Sequence, residues 1–115
     1  MNITIYHNPR CSKSRQTLDL ITSRGVEPIV VEYLKTPPNE TTLRILIQAL
    51  GIEPRQLLRK GESVYKELGL DDVRLSDEAL IKAMLDHPVL IERPIVTRGD
   101  RAAIGRPPES VLSIL

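Results

Sequence analysis

Several residue types are scarce in this chain, and each scarcity excludes something. It has one cysteine in 115 residues, no phenylalanine, no tryptophan and three tyrosines. A single cysteine closes no internal disulfide. The two histidines, His7 and His87, show no metal-site spacing with it, so no metal centre is expected. A reducing cytoplasm is the expected compartment. The core must be aliphatic, because aromatic residues make up 3% of the chain. The formal net charge of +1 gives no bulk electrostatic case for nucleic acid or an anionic membrane as partner. No apolar run approaches the roughly 18 residues of a membrane span. The start has neither the basic region nor the apolar stretch of a signal peptide. What is there, 41% hydrophobic and 27% charged residues, fits one globular domain of ordinary size.

The single cysteine, Cys11, lies in Tyr6-His7-Asn8-Pro9-Arg10-Cys11-Ser12-Lys13-Ser14-Arg15. The apolar run from Ile3 to Tyr6 before it reads as a strand. Leu18, Leu20 and Ile21 after it read as a helix running to Gly25. Cys11 is therefore expected at a strand-to-helix turn, where unpaired N–H groups and the helix dipole favour negative charge. A thiol so placed ionises below its ordinary value of about 8.5. Arg10, Lys13 and Arg15 add positive charge, and His7 lies upstream. Composition alone favours a small buried core cysteine; the basic, turn-like setting favours a reactive thiolate.

Further along, Ile29 to Tyr33 reads as a second strand, and strand–helix–strand with a short turn predicts parallel pairing. Pro37 and Pro38 force a loop. Asn39 is the expected cap of a helix whose buried face is Leu43, Leu46, Ile47 and Leu50, ended at Gly51. Two short helices are expected between Glu53 and Leu70, the second marked by Val64 and Leu68. Ser76 caps another, with Leu80, Ile81, Met84 and Leu85 buried and Pro88 as its stop. His87 reads as a surface residue meeting the last carbonyls. A strand from Glu92 to Thr97, a tight turn at Gly99-Asp100 and an antiparallel return over Arg101 to Ile104 come next. A last helix follows Pro107-Pro108, with Val111, Leu112, Ile114 and Leu115 on the sheet. The order is βαβ, a helical insertion over about 39–88, then ββα. It resembles the thioredoxin-like fold: α/β, a mixed four-stranded sheet with helices on both faces, as a single domain over residues 1–115. In that fold a proline, usually cis, opens the third strand opposite the cysteine, and Pro94 stands in its place.

Beyond the fold, the chain resembles the glutaredoxin-coupled arsenate reductases, the ArsC family, and within it a compact short-chain subgroup. The resemblance is carried by residues 5–15 and by Tyr33-Leu34-Lys35-Thr36-Pro37-Pro38 and Leu57-Leu58-Arg59-Lys60. It continues through the run from His87 to Val96 and through Ile104-Gly105-Arg106-Pro107-Pro108-Glu109. It implies that Cys11 is the nucleophile and that His7 helps keep it ionised. It also implies that Arg59, Arg93 and Arg106 surround the oxyanion. Taken singly, Arg59 reads as a solvated helix end, Arg93 as a partner of Glu92 or another carboxylate, and Arg106 as a loop charge. Ser14 occupies the second-cysteine position of a dithiol motif; it either bonds the sulfur or satisfies backbone in the first helical turn, and both readings stand. Arginine suits a tetrahedral oxyanion because its rigid fork of donors pairs with two oxygens. The resemblance further implies glutathione as co-substrate, glutaredoxin as partner, no tightly bound cofactor, and a monomer.

Two rival readings share this thiol or this fold. One is a glutathione-dependent thiol reductase of another small substrate. The other is an Spx-like regulator that binds RNA polymerase; many of those carry Cys-x-x-Cys, whereas Ser14 here removes the second thiol.

Overall fold

The structure, a computed structural model, describes residues 2–115. The chain divides into two compact units. The first comprises the segment up to Thr36 together with Arg93–Leu115, and the second is Pro37–Glu92.

The first unit is built on a four-stranded sheet in the order β2-β1-β3-β4. Strand β1 is Ile3–Tyr6, β2 is Ile29–Val31, β3 is Ile95–Arg98 and β4 is Arg101–Ile104. β1 and β2 are parallel, with Ile5 opposite Val30, as the crossover through helix α1 (Ser12–Ser23) requires. β3 runs antiparallel to both β1 and β4, which makes the sheet mixed. β2 is shorter than the sequence predicts. Its pairing ends where His7 N–H donates to the Val31 carbonyl, and the Glu32 carbonyl then accepts from Lys35 and Thr36 to close a turn. β3 begins after Pro94 rather than at Glu92, since proline has no N–H to give a ladder. Arg98 faces Arg101 across a two-residue hairpin. Gly99 there has φ 61° and Asp100 does not share it, which is the type II′ pattern. The Arg93–Pro94 and Arg106–Pro107 bonds are cis.

One face of this sheet carries the core. Ile3 and Ile5 alternate inward from β1 and Val96 from β3. They meet Ile21 of α1 and Val111 and Ile114 of the C-terminal segment. That segment, Pro108–Ile114, is a 3-10 helix rather than the expected α-helix. Bonds such as Ser110 N–H to the Pro107 carbonyl close three-residue turns and bring Val111 and Ile114 to the same side.

The second unit holds α2 (Glu40–Leu50), α3 (Ser63–Glu67) and α4 (Asp77–Asp86), with 3-10 turns at Pro54–Leu57 and Pro88–Leu90. Asn39 Oδ1 accepts the Thr42 N–H at 2.8 Å to cap α2, and Gly51 ends it at φ 68°. Ser76 caps α4 through the Ala79 N–H. Leu43, Leu46 and Ile47 of α2 and Leu80, Ile81 and Met84 of α4 are buried as their spacing predicts, while Leu50 and Leu85 are only half-buried. In α3 the buried residue is Tyr65; Val64 is half-buried and Leu68 exposed. Pro88 does end α4, and His87 closes it with its backbone N–H on the Ala83 carbonyl.

Candidate active site

Cys11 is the N-cap of α1, in extended conformation, with its N–H on the Asn8 carbonyl and its own carbonyl accepting from Arg15 N–H. The loop before it is set by Asn8, whose Oδ1 accepts the Arg10 N–H at 3.0 Å in an Asx turn. The strand therefore delivers the sulfur to the positive end of a 12-residue helix whose first turn contains no acidic residue.

Two arginines from the far end of the sequence reach this sulfur. Arg106 Nη2 lies 3.3 Å from Cys11 Sγ, although the residues stand 95 positions apart. Its Nε donates to the Arg93 carbonyl at 2.8 Å, so the guanidinium is held at both ends. Arg93 itself, two residues before β3, directs its own side chain at the sulfur. Burial alone would raise the thiol pKa. The Ser14 and Lys13 N–H groups and the Arg93 and Arg106 guanidinium groups outweigh it, and the net shift is downward. The shift runs in the direction that favours a thiolate, and the same donors are of the kind that bind an oxyanion.

His7 and Ser14 are both buried, and they bond to each other: His7 Nδ1 and Ser14 Oγ are 2.6 Å apart. Ser14 Oγ also accepts the Asn8 N–H at 3.0 Å. That resolves the open choice for Ser14: its hydroxyl serves His7 and the loop backbone, and the group it turns toward the sulfur is its amide. Burial lowers the His7 pKa; Glu32 opposes this and Arg15 adds to it. Ser14 Oγ can accept from both the Asn8 N–H and the ring or donate to the ring, so the direction of its bond with His7 Nδ1 follows the ring's tautomer. His7 is thus joined to Ser14, whose amide is among the groups that lower the Cys11 pKa.

Arg59 belongs to the second unit. Its backbone N–H donates to the Leu90 carbonyl beside an isolated bridge between Leu58 and Ile91. Its side chain pairs with Glu62 at 3.2 Å and with Glu92. Burial lowers its pKa, but the two carboxylates reverse that and hold it charged. It is an ion-paired residue, 22% exposed at the side chain, not a solvated helix end. Glu92 accepts from Arg59 Nη1.

Sequence reasoning passed over Thr17 and Gly105. Thr17 is fully buried, its Oγ1 donating to the Lys13 carbonyl and lying 3.4 Å from the Gly105 carbonyl. A polar residue at an inward position of α1, four residues after Lys13, was the available signal.

Comparisons with known proteins give the chain's family and fold relatives. A sequence model described as the ArsC family matches residues 6–114. The chain is 58% identical over 114 residues to YfgD of Escherichia coli K12, covering 98% of this chain and 96% of that one. It is 49% identical over 116 residues to a protein of Haemophilus influenzae named arsenate reductase, covering both chains in full. Among solved structures, an arsenate reductase from Vibrio cholerae superposes with a TM-score of 0.97 at 53% identity, over 100% of this chain and 98% of that one. A family model that spans nearly the whole chain and relatives near half identical over their full length show that the chain belongs to the ArsC family.

Proposed function

We propose that this protein is an arsenate reductase that draws its electrons from glutathione and is returned to its starting state by glutaredoxin. The observation that carries the reading is the Arg106 guanidinium 3.3 Å from a sulfur held below its ordinary pKa. A thiolate that attacks an oxyanion must overcome charge repulsion, and cations at this range offset it. Relatives of near 50% identity named arsenate reductase support the choice of oxyanion.

In the proposed cycle Cys11 Sγ attacks arsenic(V), an As–O bond breaks, and the oxygen leaves as water after protonation. Arg93 and Arg106 hold the remaining oxygens. A glutathione thiolate then forms an S–S bond with Cys11. The S–As bond breaks with its electron pair staying on arsenic, which departs as arsenite, arsenic(III). Two thiols are oxidised to one mixed disulfide, matching the two electrons taken up. The sequence has one cysteine, so an outside thiol must reduce this disulfide. Glutaredoxin is assigned that step by family resemblance, as Arg59 is assigned to the oxyanion. The reading carries with it a monomeric protein in a reducing cytoplasm.

The test is arsenite production with arsenate, glutathione and glutaredoxin. Turnover is expected for the unsubstituted protein and none for Cys11→Ser. Absence of arsenite, in a mixture where a proven family enzyme works, ends the arsenate reading; turnover surviving in Cys11→Ser ends the mechanism.

A further inference from the structure

Gly105 connects β4 to Arg106, and its backbone does not explain why it is glycine. Gly25, Gly51, Gly69 and Gly99 have positive φ; Gly105 does not. The explanation is space. A β-carbon at Gly105 would stand 2.4 Å from Thr17 Oγ1, 2.8 Å from Pro94 Cγ and 3.0 Å from Thr17 Cγ2. At Gly25, Gly51, Gly61 and Gly69 a β-carbon would meet nothing within 4 Å. Neither neighbour of Gly105 yields easily. Thr17 is fully buried and its hydroxyl is bonded to the Lys13 carbonyl at 2.8 Å. Pro94 is buried, and its carbonyl accepts the Gly105 N–H at 2.9 Å.

We propose that Gly105 and Thr17 are positioning residues: their close contact, with Pro94 as its third side, sets where the Arg106 guanidinium meets the Cys11 sulfur. The link is short on every side. Thr17 lies on the helix that begins at Cys11, and Pro94 follows Arg93, whose carbonyl takes the Arg106 Nε. Arg106 is the residue after Gly105 and is folded back by its N–H on the Ile104 carbonyl. Relieving a 2.4 Å contact to an ordinary 3.4 Å one moves this backbone by about 1 Å. A step of that size is enough to lengthen the 3.3 Å bond from Arg106 to the sulfur beyond hydrogen-bonding range. The proposal rests on Arg106 acting at the thiol, as above, and not on which oxyanion the thiol attacks.

The measurement is the rate of Cys11 alkylation by iodoacetamide against pH, which needs neither arsenate nor glutathione. Arg106→Ala should move the midpoint upward and sets the ceiling. Gly105→Ala should move it upward by about half a pH unit or more, toward that ceiling. Adding Thr17→Ala to Gly105→Ala makes room for the methyl and should recover at least half of the shift. In the Arg106→Ala background, Gly105→Ala should have no further effect, since it acts through that side chain. Gly25→Ala, a strained glycine with open space around it, should lower stability and leave the midpoint alone. The proposal is overturned if Gly105→Ala leaves the midpoint unmoved, if its full shift persists without Arg106, or if Arg106→Ala itself has no effect. Should Gly105→Ala not fold, Thr17→Ala opens the same contact from the other side; an unmoved midpoint there overturns the proposal equally. Arsenite production tests the arsenate reading separately, so failure of one is not failure of the other.

Discussion

Cys11, His7 and Ser14 form one small device, and each carries a measurable consequence. Ser14 Oγ satisfies both the His7 ring and the Asn8 N–H inside the protein. Ser14→Ala leaves two buried polar groups without that oxygen and should cost roughly 1–3 kcal/mol, read from the urea midpoint at pH 7.5. His7 gives a pH dependence of definite sign. Burial holds its folded-state pKa below the ordinary 6.5, with Glu32 opposing and Arg15 reinforcing. The folded protein therefore binds fewer protons there than the unfolded chain does. Its contribution is fully present above about pH 6.5 and is lost as pH falls through the folded value. The unsubstituted protein should lose melting temperature from pH 6.5 downward, and His7→Gln should flatten that part of the curve. A His7 ring that titrates at or above 6.5 by NMR would contradict the assignment.

At the scale of elements, caps and turns do most of the placing. Asn39 fixes the start of α2 by accepting the Thr42 N–H. Asn39→Ala should cost about 1 kcal/mol in chemical denaturation and leave Cys11 alkylation unchanged, because the cap belongs to the second unit. The elements that departed from expectation did so where a non-local or backbone constraint acted. β2 lost two residues to a turn closed on Glu32, and β3 waited for a residue with an N–H after Pro94. The C-terminal helix tightened to 3-10, and its Val111 and Ile114 still reached the core. Periodicity found Val111 and Ile114 there, while Leu112 and Leu115 are only half-buried, and it did not distinguish a 3.0 from a 3.6 repeat over seven residues.

For the molecule as a whole, the first unit is discontinuous in sequence. β1, which leads to Cys11, pairs directly with β3, which follows Arg93. The core of that unit therefore also aligns the site. Ile21 is fully buried where α1 meets β1, β3 and the C-terminal segment. Ile21→Ala should destabilise the protein by about 2–5 kcal/mol. Along the same unfolding transition the thiol should revert to the reactivity of an ordinary cysteine, because the Ser14 and Lys13 amides are fixed only with α1 and Arg93 and Arg106 arrive only with the sheet. Fluorescent alkylation followed through a denaturant series, compared with circular dichroism, would check that the two changes coincide.

The amino-acid order alone determined whatever depends on near neighbours: the caps at Asn39 and Ser76, the hairpin at Gly99, the alternation of β1, and the cysteine at the head of α1. It also marked Arg93 and Arg106 as candidates through a family pattern. Tertiary structure decided which groups act on the sulfur. It brought Arg106 across 95 positions to Cys11, turned the Ser14 hydroxyl to His7, and paired Arg59 with Glu62 and Glu92. It also made Gly105 obligatory for space rather than for backbone angle. The reason is physical. A cap or a turn is satisfied within a few residues of itself, whereas the distance between a guanidinium and a thiolate exists only once β1 and β3 have paired.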